Sequence, residues 1–479
     1  MRELIDRALD LSKVLGATFA EVRVVDQRNE DLEVKNGTAE AIKYSESVGI
    51  GVRVIVDGTW GFASTSRIEK KDIDEMTALA VNIAKAGAIT KKENVVLSRA
   101  EKVVAEYSTP FTVDPFKVSL SKKVDLLLAA EKLMNEKGVR ISQAFMEAFA
   151  QKKYYANTEG TYIIQNITEC GAGLNAVAVK DGEVQERSYP NSFRGNFATS
   201  GYEYIESLDL AANAPRVASQ ALELISALQC PSMVTSLIID GSQLALQVHE
   251  SCGHPIELDR VFGTEASYAG MSFLTLDKLN NFRYGSDIVN IVADSTVSGG
   301  LGTFGYDDEG IKAQRVPIVT NGIFVGYLTS RETAAKINQQ SNGAMRADGW
   351  NNIPLIRMTN VNLEPGTWKF DDLISDTDDG IYVETNRSWS IDDKRLNFQF
   401  GTEIAWEIKN GKLGRMFKNP TYTGITPQFW ASCDAICDKS HWKMWGTPNC
   451  GKGEPPQTAH VGHGTAPSRF RNIKVGVMK

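Results

Sequence analysis

The residues whose types and spacing could do chemistry are His249, Glu250 and His254, in the run Val248-His249-Glu250-Ser251-Cys252-Gly253-His254-Pro255. Imidazoles ligate transition metals, and a carboxylate beside them can move a proton. The pattern H-E-x-x-x-H therefore points to a metal site with its own base. It is one residue longer than the H-E-x-x-H of familiar zinc peptidases. On a regular α-helix, positions i and i+4 stand about 40° apart, but i and i+5 stand about 140° apart. Two imidazoles so placed share one ion only if the helix widens, as in a π-type turn. Gly253 and Pro255 sit where that distortion is easiest. The competing reading is an ordinary His-Glu pair on a helix surface. Against it, the chain holds only five histidines, and two of them flank this glutamate.

A zinc site needs further protein ligands, commonly three in all with a position left open. The C-terminal stretch offers Cys433, Cys437, His441, Cys450, His460 and His463. Cys433, Cys437 and His441 follow at i, i+4 and i+8, so they could line one helix face as a second metal site. Small core cysteines beside Phe429, Trp430, Ile436 and Trp442 are the preferred reading. Cys450 lies in the Gly- and Pro-rich run Trp445-Gly446-Thr447-Pro448-Asn449-Cys450-Gly451-Lys452-Gly453, which reads as a loop. A cysteine has little packing use there, and Lys452 would favour its thiolate.

These residues need elements to position them. The His-Glu-His run is expected on a helix after a strand at 236–239 and the turn Asp240-Gly241. Ser242 is the expected N-cap, and the helix should end near His254, because Pro255 disfavours helical geometry before it. From about residue 230 strand runs dominate, at 234–239, 288–293, 311–320, 322–329, 355–363, 380–385 and 396–409. The first 225 residues read instead as a duplication. One unit has a helix near 1–15, strands at 19–25, 32–35, 39–44, 48–56 and 59–64, and a helix near 70–87. The other has a helix near 117–136, strands at 144–155, 161–166, 171–179 and 183–189, and a helix near 206–226. Asp57-Gly58 and Asp181-Gly182 stand at matching places as hairpin turns. Residues 88–116 read as a connection. The expected fold class is α+β. Residues 1–228 form an N-terminal domain of two repeated helix/antiparallel-sheet units, and 229–479 a mostly β domain carrying the metal-binding helix.

Composition narrows the function classes. With 42% apolar and 23% charged residues, the chain is neither disordered nor collagen-like. Lys and Arg number 52 against 59 Asp and Glu, a net charge of -7, so a nucleic-acid partner is not expected. Six cysteines in 479 residues are too few for a secreted disulfide scaffold. The start, Met1-Arg2-Glu3-Leu4-Ile5-Asp6-Arg7, has no apolar signal core, and no run of membrane-spanning length follows. A cytoplasmic chain with no membrane partner is expected.

On these motifs the chain resembles the TldD/PmbA family, first named for modulation of DNA gyrase and understood as metalloproteases. His249-Glu250-x-x-x-His254 is similar to the active motif on the TldD side, which the PmbA/TldE partner lacks. Cys450-Gly451-Lys452-Gly453 with Gln457 is similar to the family's C-terminal cysteine motif. Gly51-Val52-Arg53 with Trp60-Gly61-Phe62-Ala63-Ser64, Asp307-Asp308-Glu309-Gly310, and Arg357-Met358-Thr359-Asn360 with Pro365-Gly366 extend the likeness over nearly the whole chain. Asn342-Gly343-Ala344-Met345-Arg346 departs from the Gly-Asn-x-Arg-Arg-like run often found there.

The resemblance implies that His249, His254 and Cys450 bind one zinc, that Glu250 is the base and not a ligand, and that Cys252 points away. It implies hydrolysis of unfolded or ribosomally made precursor peptides, and a PmbA/TldE-type partner subunit or a homodimer. Arg53, Asp307, Asp308 and Glu309 are candidates to line the substrate's path, or else turn and surface residues. The family's older name implies the alternative of a non-enzymatic regulator with a structural metal.

Overall fold

The computed structural model describes residues 1–476. Its N-terminal part repeats one order of elements twice. The first unit is α1 (Arg2–Val14), β1 (Phe19–Lys35), β2 (Thr38–Val56), β3 (Thr59–Thr65) and α2 (Lys70–Ala88). A strand β4 (Val104–Ser108) crosses to the second unit, which is α3 (Leu120–Asn135), β5 (Ile141–Asn157), β6 (Tyr162–Lys180), β7 (Glu183–Tyr189), β8 (Asn196–Ala198), α4 (Tyr202–Ser207) and α5 (Leu210–Ser226). β1 pairs antiparallel with both β2 and β5, so the two units share one eight-stranded sheet. The turns Asp57-Gly58 and Asp181-Gly182 hold positive φ at both residues (49° and 72°, 51° and 84°), as a type I′ hairpin requires. Ile5, Ala8 and Leu9 of α1 and Ile73, Ala80 and Ala84 of α2 bury against Val22, Val24, Val52 and Val54. Leu127, Ala130 and Met134 of α3 do the same against Ala172, Leu174 and Ala176.

Several expected breaks are continuous strand. The polar stretch 26–31 does not interrupt β1, because β2 and β5 supply its backbone partners on both sides while its side chains stay half-buried or exposed. β6 likewise runs unbroken where two strands were expected. The connection 88–116 contributes β4, parallel to β6. The expected helix at 206–226 is two, with Asp209 capping α5.

Beyond residue 230 the chain closes a barrel. Strands Met233–Ile239, Ser468–Val475, Thr421–Ile425, Asn397–Lys409 and Asp379–Ile391 pair in that order, and the last returns to the first. The expected runs at 311–320, 322–329 and 355–363 shrink to Arg315–Thr320, Ile323–Phe324, Leu355–Ile356 and Val361–Leu363. The alternative of a helix face through Cys433, Cys437 and His441 is not there: Cys433–Ile436 is a strand paired with Ser468–Val475, and both cysteines are buried, as the preferred reading has it. Cys450 is not in a loop. It lies in Lys443–Lys452, which pairs antiparallel with Gln457–Thr465 and sets Cys450 opposite Ala459. Close packing accounts for Gly446 in that run and for Gly464 on the facing strand, whereas Gly451 has open space around it. A Cβ at Gly446 would lie 2.1 Å from the Phe197 carbonyl oxygen, and one at Gly464 would lie 1.7 Å from the Trp442 ring.

Candidate metal centre

The strand Met233–Ile239 enters α6 (Gly241–Val248) at Asp240, whose side chain accepts the Ser242 N–H and is the N-cap in place of Ser242. All eight residues of α6 are buried. At His249 the helix widens into a π-turn spanning His249–Gly253, and the His254 N–H donates to the His249 carbonyl at 3.1 Å, an i→i+5 bond. This is the distortion that H-E-x-x-x-H requires. It brings the rings of His249 and His254 to 4.9 Å between centroids, at 90° to one another.

The hairpin Lys443–Lys452/Gln457–Thr465 delivers the third group. Cys450 Sγ lies 3.4 Å from His249 Nε2 and 3.9 Å from His254 Nε2. One ligand atom from each of the three residues lies within 4.8 Å of the others, and all three residues are buried. Burial holds both imidazoles below their ordinary pKa, so they stay neutral and keep a lone pair. Burial pushes the Cys450 thiol up, but the Arg357 guanidinium and His254 pull it down, and the net is below the ordinary cysteine value. The cation favouring the thiolate is thus Arg357. Lys452 is engaged elsewhere, on Asp259 at 2.8 Å and the Ile356 carbonyl at 2.6 Å.

Glu250 stands beside this trio. Its Oε2 accepts from Arg395 Nη1 at 2.5 Å, with the two side chains 7% and 14% exposed. Arg395 sits in the 392–396 turn with φ of 64°, held there because Asp392 accepts the Leu396 and Asn397 N–H groups. Behind His254, Nδ1 faces Glu257 Oε2 at 3.1 Å. Glu257 is fully buried among Arg260, Glu265 and Lys452. Burial there raises the Glu265 carboxyl to about 7. Cys252 points the other way, into the apolar core, where burial raises its thiol to about 12.

The sequence matches the PmbA/TldA metallopeptidase C-terminal domain over residues 232–476, domain 1 over 20–84 and the central domain over 113–229. The chain belongs to the PmbA/TldD metallopeptidase family. A metalloprotease of Methanocaldococcus jannaschii is 29% identical over 87% of this chain and 89% of its own length. A zinc metalloprotease TldD homolog of Saccharolobus solfataricus is 21% identical over 96% and 97%. In fold, the chain is similar to TldE of Thermococcus kodakarensis, with a TM-score of 0.75 at 16% identity over 99% and 100% of the two chains. It is also similar to a Thermotoga maritima protein described as a candidate modulator of a DNA gyrase, with a TM-score of 0.78 at 19% identity over 99% and 100%. Among the described residues, no helix is long and apolar enough to cross a membrane.

Arg53, Asp307, Asp308 and Glu309 are buried, and none of them is a partner of the trio. Arg53 is 8% exposed and donates to Glu21 at 2.6 Å and Glu309 at 2.9 Å. Asp308 accepts from Lys153 at 2.7 Å, and Asp307 accepts the backbone N–H groups of Glu309, Ile311 and Met345. The Arg53–Glu309 and Lys153–Asp308 bonds join the N-terminal sheet to the C-terminal part. Asp307 and Asp308 also line a cleft of about 170 Å³ with Lys153, Arg346 and His460. Cys433 and Cys437 are buried core, and among the described residues the His249–His254–Cys450 trio is the single group of three or more such side chains that could hold a metal ion. Sequence reasoning missed Arg395, whose hairpin turn carries no signal. It also missed Glu257, although a glutamate three residues after a metal-type histidine is a visible cue.

Proposed function

We propose that this metallopeptidase is a zinc enzyme that hydrolyses unfolded or ribosomally made precursor peptides, with His249, His254 and Cys450 as the ligands and Glu250 as the base. The observation that carries the reading is the convergence of two imidazole Nε2 atoms and one Sγ beside a carboxylate outside the trio. The donor set suits zinc: two neutral nitrogens and a soft thiolate, three ligands rather than four. The name of the Saccharolobus relative supports the same metal.

Bound there, zinc would supply Lewis acidity, making a water more acidic and a peptide carbonyl more electrophilic. The protein's own groups do the rest. Glu250 takes the proton of the attacking water on a carboxylate oxygen and hands it to the departing amine. Arg395 holds that carboxylate in place before substrate arrives. When the carboxylate is protonated, its guanidinium is free to face the oxyanion developing on the carbonyl. Buried walls exclude bulk water, which strengthens both interactions.

In this reading residues 229–479 carry the peptidase site, and 1–228 form a covering domain. Arg53, Asp307, Asp308 and Glu309 brace the join, and Asp307 and Asp308 meet peptide at the cleft they line. A TldE-type partner subunit or a second copy of the chain encloses the site, and the cytoplasm is the compartment. The test is zinc content together with chelator-sensitive cleavage of an unstructured peptide, with and without a TldE-type partner. Zinc near one per chain with cleavage abolished by chelator and restored by zinc is expected. A zinc-loaded preparation that leaves the peptide intact in both assemblies would overturn the reading.

A further inference from the structure

A third histidine lies against the trio and is used by none of the steps above. His463 is fully buried, and its Nε2 lies 2.8 Å from Nδ1 of His249, the ring atom that faces away from Cys450. On its other side, His463 Nδ1 lies 3.0 Å from the Val361 carbonyl oxygen. We propose that His463 is a positioning residue that fixes the tautomer and tilt of His249, so that the His249 Nε2 lone pair is always turned to the metal. The inference rests on the ligand assignment made above.

The argument is one of hydrogen-bond direction. A carbonyl oxygen only accepts, so the ring nitrogen of His463 that meets Val361 carries its hydrogen. A neutral imidazole has one N–H, and no carboxylate is among the partners of His463, so its Nε2 is an acceptor. The atom opposite, His249 Nδ1, must then be the donor. That leaves His249 Nε2 without a hydrogen, 3.4 Å from Cys450 Sγ. In the other tautomer, a buried N–H would point at the metal position and two lone pairs would face each other at 2.8 Å. Ligating histidines generally give their second N–H to an acceptor that orients them. His254 follows that rule with the Glu257 carboxylate, whereas His249 has a neutral acceptor.

The fold makes this arrangement rigid. His463 and Ala459 are four residues apart on one strand, so both face the same side of the hairpin, and Ala459 is the partner of Cys450. One hairpin thus carries both the thiolate and the support for the imidazole it meets. Thr465 Oγ1 donates to the Gly241 carbonyl at 2.7 Å, tying that strand to the start of α6, and Asn360 bridges Gly462 beside Val361.

The direct test is a long-range ¹H–¹⁵N spectrum of the zinc-loaded chain with ¹⁵N-labelled histidine, which has only five rings to assign. His463 and His249 are both expected as Nδ1–H tautomers; an Nε2–H His463 overturns the proposal. In chelator competition, His463→Leu is expected to bind zinc about 10–100-fold more weakly. His463→Gln, which keeps an acceptor oxygen, should recover most of that loss. A folded His463→Leu that binds zinc as tightly as the parent, while Cys450→Ser has lost it, overturns this inference alone. Undiminished binding in Cys450→Ser overturns the ligand assignment beneath it. If His463→Leu does not fold, the spectrum of the unaltered chain decides.

Discussion

Glu250 and Arg395 carry the sharpest consequences at the scale of the residue. Glu250 follows His249 directly and its charge acts on that imidazole, yet its hydrogen bond goes to a guanidinium. Its replacement should therefore remove a proton carrier without removing a ligand. Glu250→Gln is expected to lower kcat by about 10²–10⁴-fold, with zinc content by atomic absorption unchanged. Cys450→Ser should lose both activity and metal, because an alcohol does not offer the thiolate's charge or softness. Arg395→Leu should keep zinc and lower kcat more than it raises KM. A rise in KM alone would assign Arg395 to ground-state binding instead.

The deciding element is the wide turn that ends α6. A regular helix would separate the imidazoles; the i→i+5 bond from His254 to His249 brings them together. Gly253 makes the turn possible through space rather than backbone freedom. A Cβ there would lie 2.1 Å from Met358 Sδ, a side chain that is itself fully buried. Gly253→Ala should destabilise the protein by about 1–3 kcal/mol and weaken zinc binding, read by a thermal melt and by chelator competition on the same sample. A melt and an affinity equal to the parent's would mean that Met358 yields freely and that the turn is not tightly packed.

Across the whole molecule, the N-terminal sheet is locked to the C-terminal part by buried charges. Arg53→Leu strands Glu21 and Glu309 in a dry interface, so a loss of about 3–5 kcal/mol in denaturant unfolding is expected. A second link is Arg187, which reaches Glu403 at 3.0 Å and Glu384 at 2.9 Å. Burial raises the Glu403 carboxyl to about 7 against the Arg187 pull. An acid raised on folding favours the protonated native state. Its contribution is complete below the ordinary value near 4.5 and is lost as pH rises through about 7. The melting temperature should fall across that window, and Glu403→Gln should flatten the slope. An unchanged slope would place the titration elsewhere.

By itself the sequence determined what local rules control. The duplicated order of helices and strands, the two Asp-Gly hairpins and the need for a π-type turn between His249 and His254 all follow from spacing, periodicity and backbone sterics over a few residues. The His-Glu-His motif was legible for the same reason. The resemblance pointed to Cys450, but only the tertiary structure shows how it meets the motif, since it is 196 residues from His254 and reaches it through a hairpin that was expected as a loop. Only the fold decided that Arg53, Asp307, Asp308 and Glu309 lie at a buried join, and that Arg395, Arg357, Glu257 and His463 surround the trio. Those contacts are set by how distant strands pair and close a barrel. Pairing of that kind depends on summed packing along both partners and leaves no periodic mark at the residues that finally touch.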